Sequence, residues 1–527
     1  MKRPLSFIKR NPLLIGMILL FCALAVTLFL YATPHGVGLT NDSSAYLGGA
    51  RSLLNGQGYV RFSGDRLPRP ITQFPPLLSL FIATIARIGS IDVFAAAKIL
   101  NLICFVLNLL LLLFFIIRGS GGNLIVFFTG LLYLSCAPIL QTHAYGLSEA
   151  LFMVFLFISW HLTLQQVKRP NGFLTAFLNG ICIGLATLTR YASIALLIVI
   201  IGFLFFYRSK LRSYLVEVTV LLAGFALPVT PWILRNAHVS EDVANRGVFF
   251  HPPSASVINE GIETLTGFFL PESGGWIAKL LPWLKFGWVL VFLAFAIWLT
   301  TRLVRRLTSK ALPAQDAAAS TLSGLFALGY LIFLIGIALF IDGSTVFDNR
   351  MLLPFFTGII VMILSLATEK LSQVQLSIPK RGLILLALTF FALFLAEDQL
   401  DLARDFHKDG QGFAGSSWSE MEISQAVDDL PPNATYFSNR QTYLWLMKDR
   451  PSYILPPLSD AATRQENETF ENDRQWMKQE LSAGNAYAVV FNYQEMMENP
   501  SDRVWLTRLF EGIPIYLETK DGIIYGE

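Results

Sequence analysis

One carboxylate near the start of the chain is placed where it could act on a substrate. Asp42 follows Asn41 shortly after the first long apolar run, which ends near Leu30. A carboxylate where an apolar segment meets water could remove a proton from a hydroxyl group held at that depth. Asp42 and Ser43 are also good caps for the helix predicted to follow. The residue types therefore leave two roles open for Asp42, a catalytic base or a simple N-cap.

Arginines beside apolar runs and proline turns form a second group with chemical potential. They are Arg66, Arg69, Arg190, Arg235 and Arg350. A guanidinium presents several N–H groups in a planar fork that matches a phosphate group. Attraction to the anionic headgroups of lipids explains Arg66 and Arg69 equally well, so both interpretations stay open.

Glu149 opens an apolar run directly after the polar turn that begins at His143. A carboxylate at this position either has a functional role or is simply tolerated, because a charge at the end of a span costs little free energy. His143, His238 and His251 are weak candidate metal ligands, because their spacing resembles no ligand motif. A divalent metal ion is the only cofactor that these residues leave open.

The composition shows which elements must position these residues. The chain has 527 residues, of which 54% are hydrophobic, and its mean hydropathy is +0.54. Charged residues make up 15%, against about 25% in an average soluble domain. The chain is therefore predicted to be a polytopic membrane protein, which excludes a cytosolic enzyme and a nucleic-acid-binding protein. The four cysteines lie inside apolar runs, so no disulfide is indicated.

Eleven apolar runs have about the 17–25 residues that a helix needs to cross a bilayer. They are the first run at about 12–30 and the runs at 93–117, 123–142, 147–167, 173–189, 191–207, 213–234, 284–302, 319–341, 350–369 and 381–397. We expect the basic loops near Lys168, Arg208, Arg302 and Lys380 to be cytoplasmic, following the positive-inside rule. The run 74–89 then cannot cross and is predicted to be interfacial or re-entrant.

This alternation predicts a cytoplasmic N-terminus and a C-terminus outside. The first outside loop, 31–92, then carries Asp42, and Arg190, Arg235 and Arg350 also face outside. Arginines on that side oppose the usual charge bias, so an anionic ligand is a good reason for them.

The chain changes character near residue 400. From Asp401 to the end it has 21 acidic and 11 basic residues, whereas the remainder is basic. Tyr487–Phe491 and Ile515–Leu517 are predicted to be buried strands, and Asn472–Leu481 a helix. We therefore divide the chain into a membrane domain, 1–400, and a small extracytoplasmic α/β domain, 401–527.

Taken in order, several motifs resemble the GT-C superfamily of integral-membrane glycosyltransferases, and most closely its protein O-mannosyltransferases and bacterial aminoarabinose transferases. The matching pieces are Asn41-Asp42, Tyr46-x3-Ala50 through Gly56-x-Gly58-Tyr59, Pro75-Pro76-Leu77, Ser148-Glu149, Gly184-x-Ala-x-Leu-Thr-Arg190, Pro231-Trp232-x2-Arg235-Asn236 and Arg350-x3-Pro354. The resemblance covers roughly residues 1–400. It implies an all-α, GT-C-like membrane domain with about eleven spans and additional interfacial helices.

The resemblance also implies site residues. Asp42 would be the catalytic carboxylate, with Glu149 positioning the acceptor or binding a metal. Arg69, Arg235 and Arg350 would bind the donor phosphate. Asn41, Tyr46, Tyr59, Arg66 and Arg190 are further candidates. The chain departs from the family at Asn41, where many members have a second carboxylate.

The expected activity is transfer of a hexosyl or pentosyl group from a polyprenyl-phosphate donor to a lipid, glycan or protein acceptor, with inversion at the anomeric carbon. The expected location is the outer face of the bacterial inner membrane, with membrane lipids but no nucleic acid as partners. A phosphate leaving group needs positive charge rather than a general acid, which suits the arginines. The alternative is a transporter or flippase of lipid-linked or envelope components, for which charges near the bilayer midplane would be expected.

Overall fold

The structure is a computed structural model. It describes residues 11–118, 122–169, 172–208, 210–239, 250–270, 276–308, 315–371, 378–459 and 465–527. The statements below concern those residues. Lys380 and Arg381 are described only as parts of a helix backbone.

The body of the molecule is helical. Up to residue 239 the helices are α1 (Pro12–Ala32), α2 (Gly49–Leu54), α3 (Leu77–Gly89), α4 (Val93–Arg118), α5 (Asn123–Ser135), α6 (Ala137–Ala144), α7 (Glu149–Lys168), α8 (Phe173–Thr187), α9 (Ile194–Tyr207) and α10 (Leu211–Val239). They are followed by α11 (Ala255–Gly267), α12 (Trp276–Thr308), α13 (Gln315–Phe340), α14 (Asn349–Leu371) and α15 (Ile378–Asp409).

Within the described ranges, seven helices are long and apolar enough to cross a membrane, namely α1, α4, α7, α10, α12, α13 and α14. Their outer faces expose large apolar side chains, for example Trp283 at 77% and Ile297 at 66% on α12. An apolar surface of this extent would be unfavourable in water, but it is favourable in contact with lipid. The chain is therefore a multi-pass integral membrane protein, as predicted, while the number of eleven spans stays a prediction.

Two of the predicted runs differ in detail from simple spans. The run 123–142 is divided into α5 and α6, which meet at an angle of 58°. Pro138, near the start of α6, has no N–H to donate to the helix before it, which accounts for the break. Helix α3 has 13 residues, about 20 Å of length, which is too short to cross.

Helix α3 also begins and ends at the same end of the bundle. Its first residue, Leu77, donates its backbone N–H to the carbonyl of Leu188. Shortly after its end, Lys98 donates to the carbonyl of Thr33, just past α1. The basic loops lie at the opposite end, where Arg208 pairs with Glu217. The expectation that 74–89 does not cross agrees with this arrangement.

The C-terminal region is a small α/β unit. Its helices are α16 (Ser416–Glu420), α17 (Glu422–Ala426), α18 (Gln441–Lys448), α19 (Phe470–Ser482), α20 (Tyr493–Glu498) and α21 (Pro500–Phe510). The strands of the chain are β1 (Val60–Arg61), β2 (Ser63–Gly64), β3 (Arg69–Pro70), β4 (Thr435–Ser438), β5 (Ser452–Ile454), β6 (Ala486–Phe491), β7 (Ile515–Thr519) and β8 (Gly522–Tyr525). The α/β character and the strand and helix positions agree with the sequence analysis.

Six of these strands form one sheet in the order β2-β5-β4-β6-β8-β7, while β1 and β3 pair separately. Strands β2, β5, β4 and β6 are parallel, and β8 and β7 continue the sheet antiparallel. Strand β6 is buried, as predicted. The prediction that Ile515–Leu517 is buried was wrong, because β7 is the edge strand and these three side chains are exposed.

The first loop and the C-terminal region are in direct contact. Strand β2 comes from the loop 31–92 and completes the sheet by pairing with β5. Arg51 on α2 donates to the carbonyls of Trp445 and Leu446 at 3.3 and 3.1 Å. Helix α15 passes through residue 400 without a break and ends at Asp409. The division of the chain at residue 400 stays a prediction.

Candidate active site

Asp42 lies two residues before a short π-helix, Ser44–Gly48, at one end of the bundle. Its backbone carbonyl accepts from Ala45, but its carboxylate makes no capping hydrogen bond. Instead, one carboxylate oxygen accepts from Arg350 at 2.6 Å. Arg350 is the second residue of α14, so 308 positions in sequence separate the two partners. The side chain of Asp42 is therefore available for chemistry rather than spent on a helix end.

Glu149 lies beside this pair and is far more buried. It is the first residue of α7, it is 1% exposed, and it forms an ion pair with Arg190. The Nε of Arg350 lies 3.5 Å from the same carboxylate oxygen. A carboxylate removed from water in this way needs positive partners to remain charged, and two arginines supply them.

The ends of four helical segments bring this cluster together. Arg190 follows α8 and also contacts Ser148 at 3.5 Å. Ser148 in turn accepts from the hydroxyl of Tyr46, at 3.0 Å, on the π-helix. Asp348 caps α14 through the backbone N–H of Met351 and lies 3.7 Å from Arg350. Helix α14 continues through Pro354 to Leu371.

A cavity of about 410 Å³ opens beside Asp42 and Arg350. Small-molecule sites commonly have volumes of about 300–1,000 Å³. Most of the residues that line it are polar, and they come from the first loop, from α6 and the turn after it, and from the start of α14. They are Thr40, Asn41, Asp42, Gln141, Thr142, Tyr145, Leu147, Asp348, Asn349 and Arg350. Asp42 is 36% exposed, whereas Glu149 is not among the lining residues. Of the two carboxylates, Asp42 is the one that a ligand in this cavity would meet.

A small hairpin in the first loop brings further arginines together. Strands β1 and β3 pair so that Arg61 lies opposite Arg69. Arg69 forms an ion pair with Asp65 at 2.8 Å, while Arg66 is exposed. Arg61 has no ion pair within the described ranges, and burial, with the neighbouring charge of Arg69, lowers its pKa to about 10. Two adjacent guanidiniums with one acid between them favour an anion.

Sequence reasoning missed Arg61. The signal that could have found it is the alternation along Tyr59–Arg61, which predicts a strand with Arg61 on the face of Tyr59. The two-residue strand is too short for that alternation to stand out.

Arg235 has a different environment from Arg350. Its guanidinium donates to the carbonyls of Ile71 and Tyr59, at 2.5 and 3.0 Å, and lies over the Trp232 ring. The hydroxyl of Tyr59, at 3.2 Å from Ser79, is buried against α3. Arg235 and Tyr59 thus brace the first loop from behind and do not line the cavity.

The three candidate metal ligands are far from forming a cluster. His143 is buried against Asn108 and the carbonyl of Ile139. His251 bonds to the carbonyl of Ala338, and His238 is exposed on α10. Across the part of the chain that the structure describes, no three His, Cys, Asp or Glu residues are placed to hold a metal ion.

Comparison with known proteins identifies the fold of the chain. No protein-family model and no curated protein matches the chain. Among solved structures, ArnT from Cupriavidus metallidurans bound to undecaprenyl phosphate has a TM-score of 0.53 at 14% identity, over 97% of this chain and 98% of ArnT. This chain has the GT-C fold.

The archaeal oligosaccharyltransferase AglB from Archaeoglobus fulgidus shares the GT-C fold. Its complex with an inhibitory peptide and a dolichol-phosphate has a TM-score of 0.52 at 13% identity, over 98% of this chain and 74% of AglB. Its complex with Zn and sulfate has a TM-score of 0.51 at 13% identity, over 96% of this chain and 73% of the other. These likenesses establish the fold, and the site must be argued from this chain's own residues.

The Zn of that structure raises the question of whether the cluster around Arg350 fits a metal ion. Asp42, Glu149 and Asp348 are the nearest carboxylates, and all three lie within 4 Å of Arg350. Their oxygens face a cation that the chain itself supplies, and Arg190 adds a second. The three carboxylates are therefore engaged by guanidiniums in this arrangement, and the described residues show no metal-binding group.

Proposed function

We propose that the protein is a glycosyltransferase that moves a sugar from a polyprenyl-phosphate donor to an acceptor hydroxyl in the cavity beside Asp42. The observation that carries the proposal is the cluster of Asp42, Arg350, Glu149 and Arg190, of which Asp42 and Arg350 line a cavity of about 410 Å³. The GT-C fold supports it, because ArnT and AglB were solved with undecaprenyl phosphate and dolichol-phosphate.

Asp42 is proposed to act as the general base. The acceptor oxygen attacks the anomeric carbon from the face opposite the phosphate, and its proton passes to the carboxylate of Asp42. The bond between that carbon and the phosphate oxygen breaks, its electron pair leaves with the polyprenyl phosphate, and the anomeric centre inverts. Asp42 suits this role because it is partly exposed and lines the cavity, as a base in reach of substrate must.

Arg350 is proposed to position the base, Asp42, and to stabilise the leaving phosphate. In the structure it pairs with Asp42, which holds that carboxylate in place. A leaving phosphate gains negative charge as its bond breaks, and a positioned guanidinium stabilises it. Arg61 and Arg69 in the hairpin are proposed to bind the same phosphate as the donor enters, while Arg235 and Tyr59 support the loop.

Glu149 is proposed to position the arginines rather than the acceptor. It is 1% exposed and is bound by Arg190, so no substrate hydroxyl reaches it without breaking that pair. The acceptor is proposed to be a lipid, glycan or protein hydroxyl, and the transferred group a hexosyl or pentosyl unit. The site is proposed to face outward from the bacterial inner membrane.

Removal of the gene tests this function in the cell. Mass spectrometry of envelope lipids, glycans and glycoproteins from the deletion strain should show one species lighter by one sugar. The wild-type gene and an Asp92→Asn variant should restore its mass. Asp92 is a matched control, because it caps α4 without lining the cavity and asparagine caps about as well as aspartate. An unchanged envelope in the deletion strain would contradict the proposal.

A further inference from the structure

The C-terminal unit contains a second cavity that the transfer chemistry does not use. Its volume is about 640 Å³, larger than the cavity beside Asp42. It lies where the parallel strands β4, β5 and β6 end, and residues that follow each of these strands line it, namely Arg440, Leu455 and Asn492.

The topology of the sheet explains why a cleft forms there. From β4 the chain passes through α18 to β5 on one side, then through α19 to β6 on the other side of β4. The loops after β4 and β6 therefore leave the sheet in opposite directions and open a crevice between them. In open α/β sheets, this reversal point at the carboxyl ends of the strands is where ligands bind.

Two buried polar atoms beside the crevice lack partners. The Nε of Arg440 and the Oδ1 of Asn492 are inaccessible and form no hydrogen bond within the described structure. Both residues also line the crevice, so their remaining polar atoms, which face it, are the ones that a bound molecule would meet. Asn492 holds a left-handed backbone conformation, with φ of 55°, which places its side chain at this turn.

The rest of the lining indicates the chemistry of that molecule. Glu495, Glu498 and Asp502 offer acceptors and outnumber Arg440, the one cation among the described lining residues. Trp505 adds a half-buried aromatic ring, which a hydrogen bond from its N–H to the Pro456 carbonyl holds in place at 2.8 Å. The ligand must therefore donate several hydrogen bonds, accept at least one, and cover an apolar ring. It must also carry no large negative charge.

We propose that this crevice binds a sugar residue, neutral or bearing an amine, at a site separate from the transfer cavity. Sugar hydroxyls donate to carboxylates and accept from a guanidinium, and the C–H face of a pyranose ring packs on an aromatic side chain. The binding itself does not depend on the proposed transferase activity, because no residue of the crevice belongs to the cluster around Asp42.

Saturation-transfer NMR on the full-length protein in lipid nanodiscs tests this site. The probes are glucose, glucosamine and glucose 1-phosphate, which share one ring and differ in charge. Wild-type protein should bind glucosamine at least as tightly as glucose, and both more tightly than glucose 1-phosphate. The double variant Glu495→Gln/Asp502→Asn should lose at least tenfold in affinity for the first two, with an unchanged unfolding temperature.

Two control proteins make the outcome decisive. Glu518→Gln removes an exposed carboxylate on the edge strand β7, away from the crevice, and should bind like the wild type. Asp42→Asn should also retain sugar binding, so failure of the transferase proposal leaves this one standing. Equal binding by the wild type and the double variant, tighter binding of glucose 1-phosphate, or no binding of any probe would overturn the proposal.

Discussion

Asp42 and Glu149 face the same arginine from very different surroundings. The first is 36% exposed beside a cavity, and the second is 1% exposed. A reacting group must be reached by substrate, whereas a buried carboxylate can act only through its neighbours. Environment thus separates a proposed base from a proposed positioning residue, although both have the same functional group.

Replacing Arg350 tests the role of positive charge at this site. Arg350→Ala should lower the rate of transfer by about 10²–10³, because a positioned donor to the developing charge is lost. The rate of Arg350→Lys should lie between the rates of the wild type and Arg350→Ala, since lysine keeps the charge but not the planar fork. The measurement is product formation at saturating donor. Unchanged donor use in Arg350→Ala would place the phosphate elsewhere.

Replacing Arg190 tests whether Glu149 is held as a buried pair. Arg190→Met should destabilise the protein by about 3–5 kcal/mol, because it leaves Glu149 buried with only its longer contact to Arg350. The double variant Glu149→Gln/Arg190→Met should recover most of the unfolding temperature. If Arg190→Met abolished transfer without any change in unfolding, Arg190 would act on substrate instead of through Glu149.

At this scale the sequence predicted the members of the cluster but not their partners. Asp42, Glu149, Arg190 and Arg350 stood out because charges beside apolar runs are costly without a reason. Which pairs they form depends on how distant helix ends meet, and local patterns carry no such information. Arg61 was missed for the same reason, since its neighbour Arg69 reaches it only across the hairpin.

At the scale of elements, the first loop is the part that must be held still. The π-helix presents Asp42, the hairpin presents Arg61 and Arg69, and β2 ties the loop to the C-terminal sheet. Gly48, within the π-helix, lies against the ring of Trp445 on α18. The C-terminal unit thereby acts as a support for the loop that carries the proposed base.

Adding one carbon atom at this contact tests whether the first loop needs the support of the C-terminal unit. In Gly48→Ala, the new Cβ would lie 2.2 Å from the Trp445 ring, so the loop or the ring must shift. We expect transfer to fall at least tenfold with a smaller effect on overall stability, and Gly48→Ala/Trp445→Leu to regain activity. Gly202→Ala, on α9 with open space around it, is the control. Normal activity in Gly48→Ala would mean that the loop does not need this support.

The long helices could be predicted from the sequence because hydrophobic length is a local property. The run predicted at 147–167 is α7, Glu149–Lys168, and that at 350–369 is α14, Asn349–Leu371. Strand β2 could not be predicted, because two residues give no alternation and their partner lies about 390 positions away in β5. Likewise, exposure of β7 depends on its place at the sheet edge, which is a tertiary property.

At the scale of the whole molecule, the proposed chemistry requires one orientation. The cluster and the C-terminal unit share one end of the bundle, and the Arg208–Glu217 and Arg302–Glu369 pairs mark the other. The positive-inside rule predicts that the second end is cytoplasmic.

Labelling with an impermeant maleimide measures this orientation. A cysteine at Glu518 should react in intact cells, while one at Arg212 should react only after the membrane is opened. Both positions are exposed, whereas three of the native cysteines are buried and the fourth, Cys22, lies within α1. The reverse pattern would turn the proposed site towards the cytoplasm.

The central claim is that the carboxylate of Asp42 drives displacement of polyprenyl phosphate, and one measurement tests it most directly. Protein in nanodiscs is supplied with the lipid fraction of the deletion strain, and mass spectrometry follows free polyprenyl phosphate and sugar-bearing product together. The wild type and Asp92→Asn should release both in equal amounts. Asp42→Asn should fold normally and lose about 10²–10⁴ in rate, the usual effect of removing a general base. Release at the wild-type rate by Asp42→Asn would contradict the account.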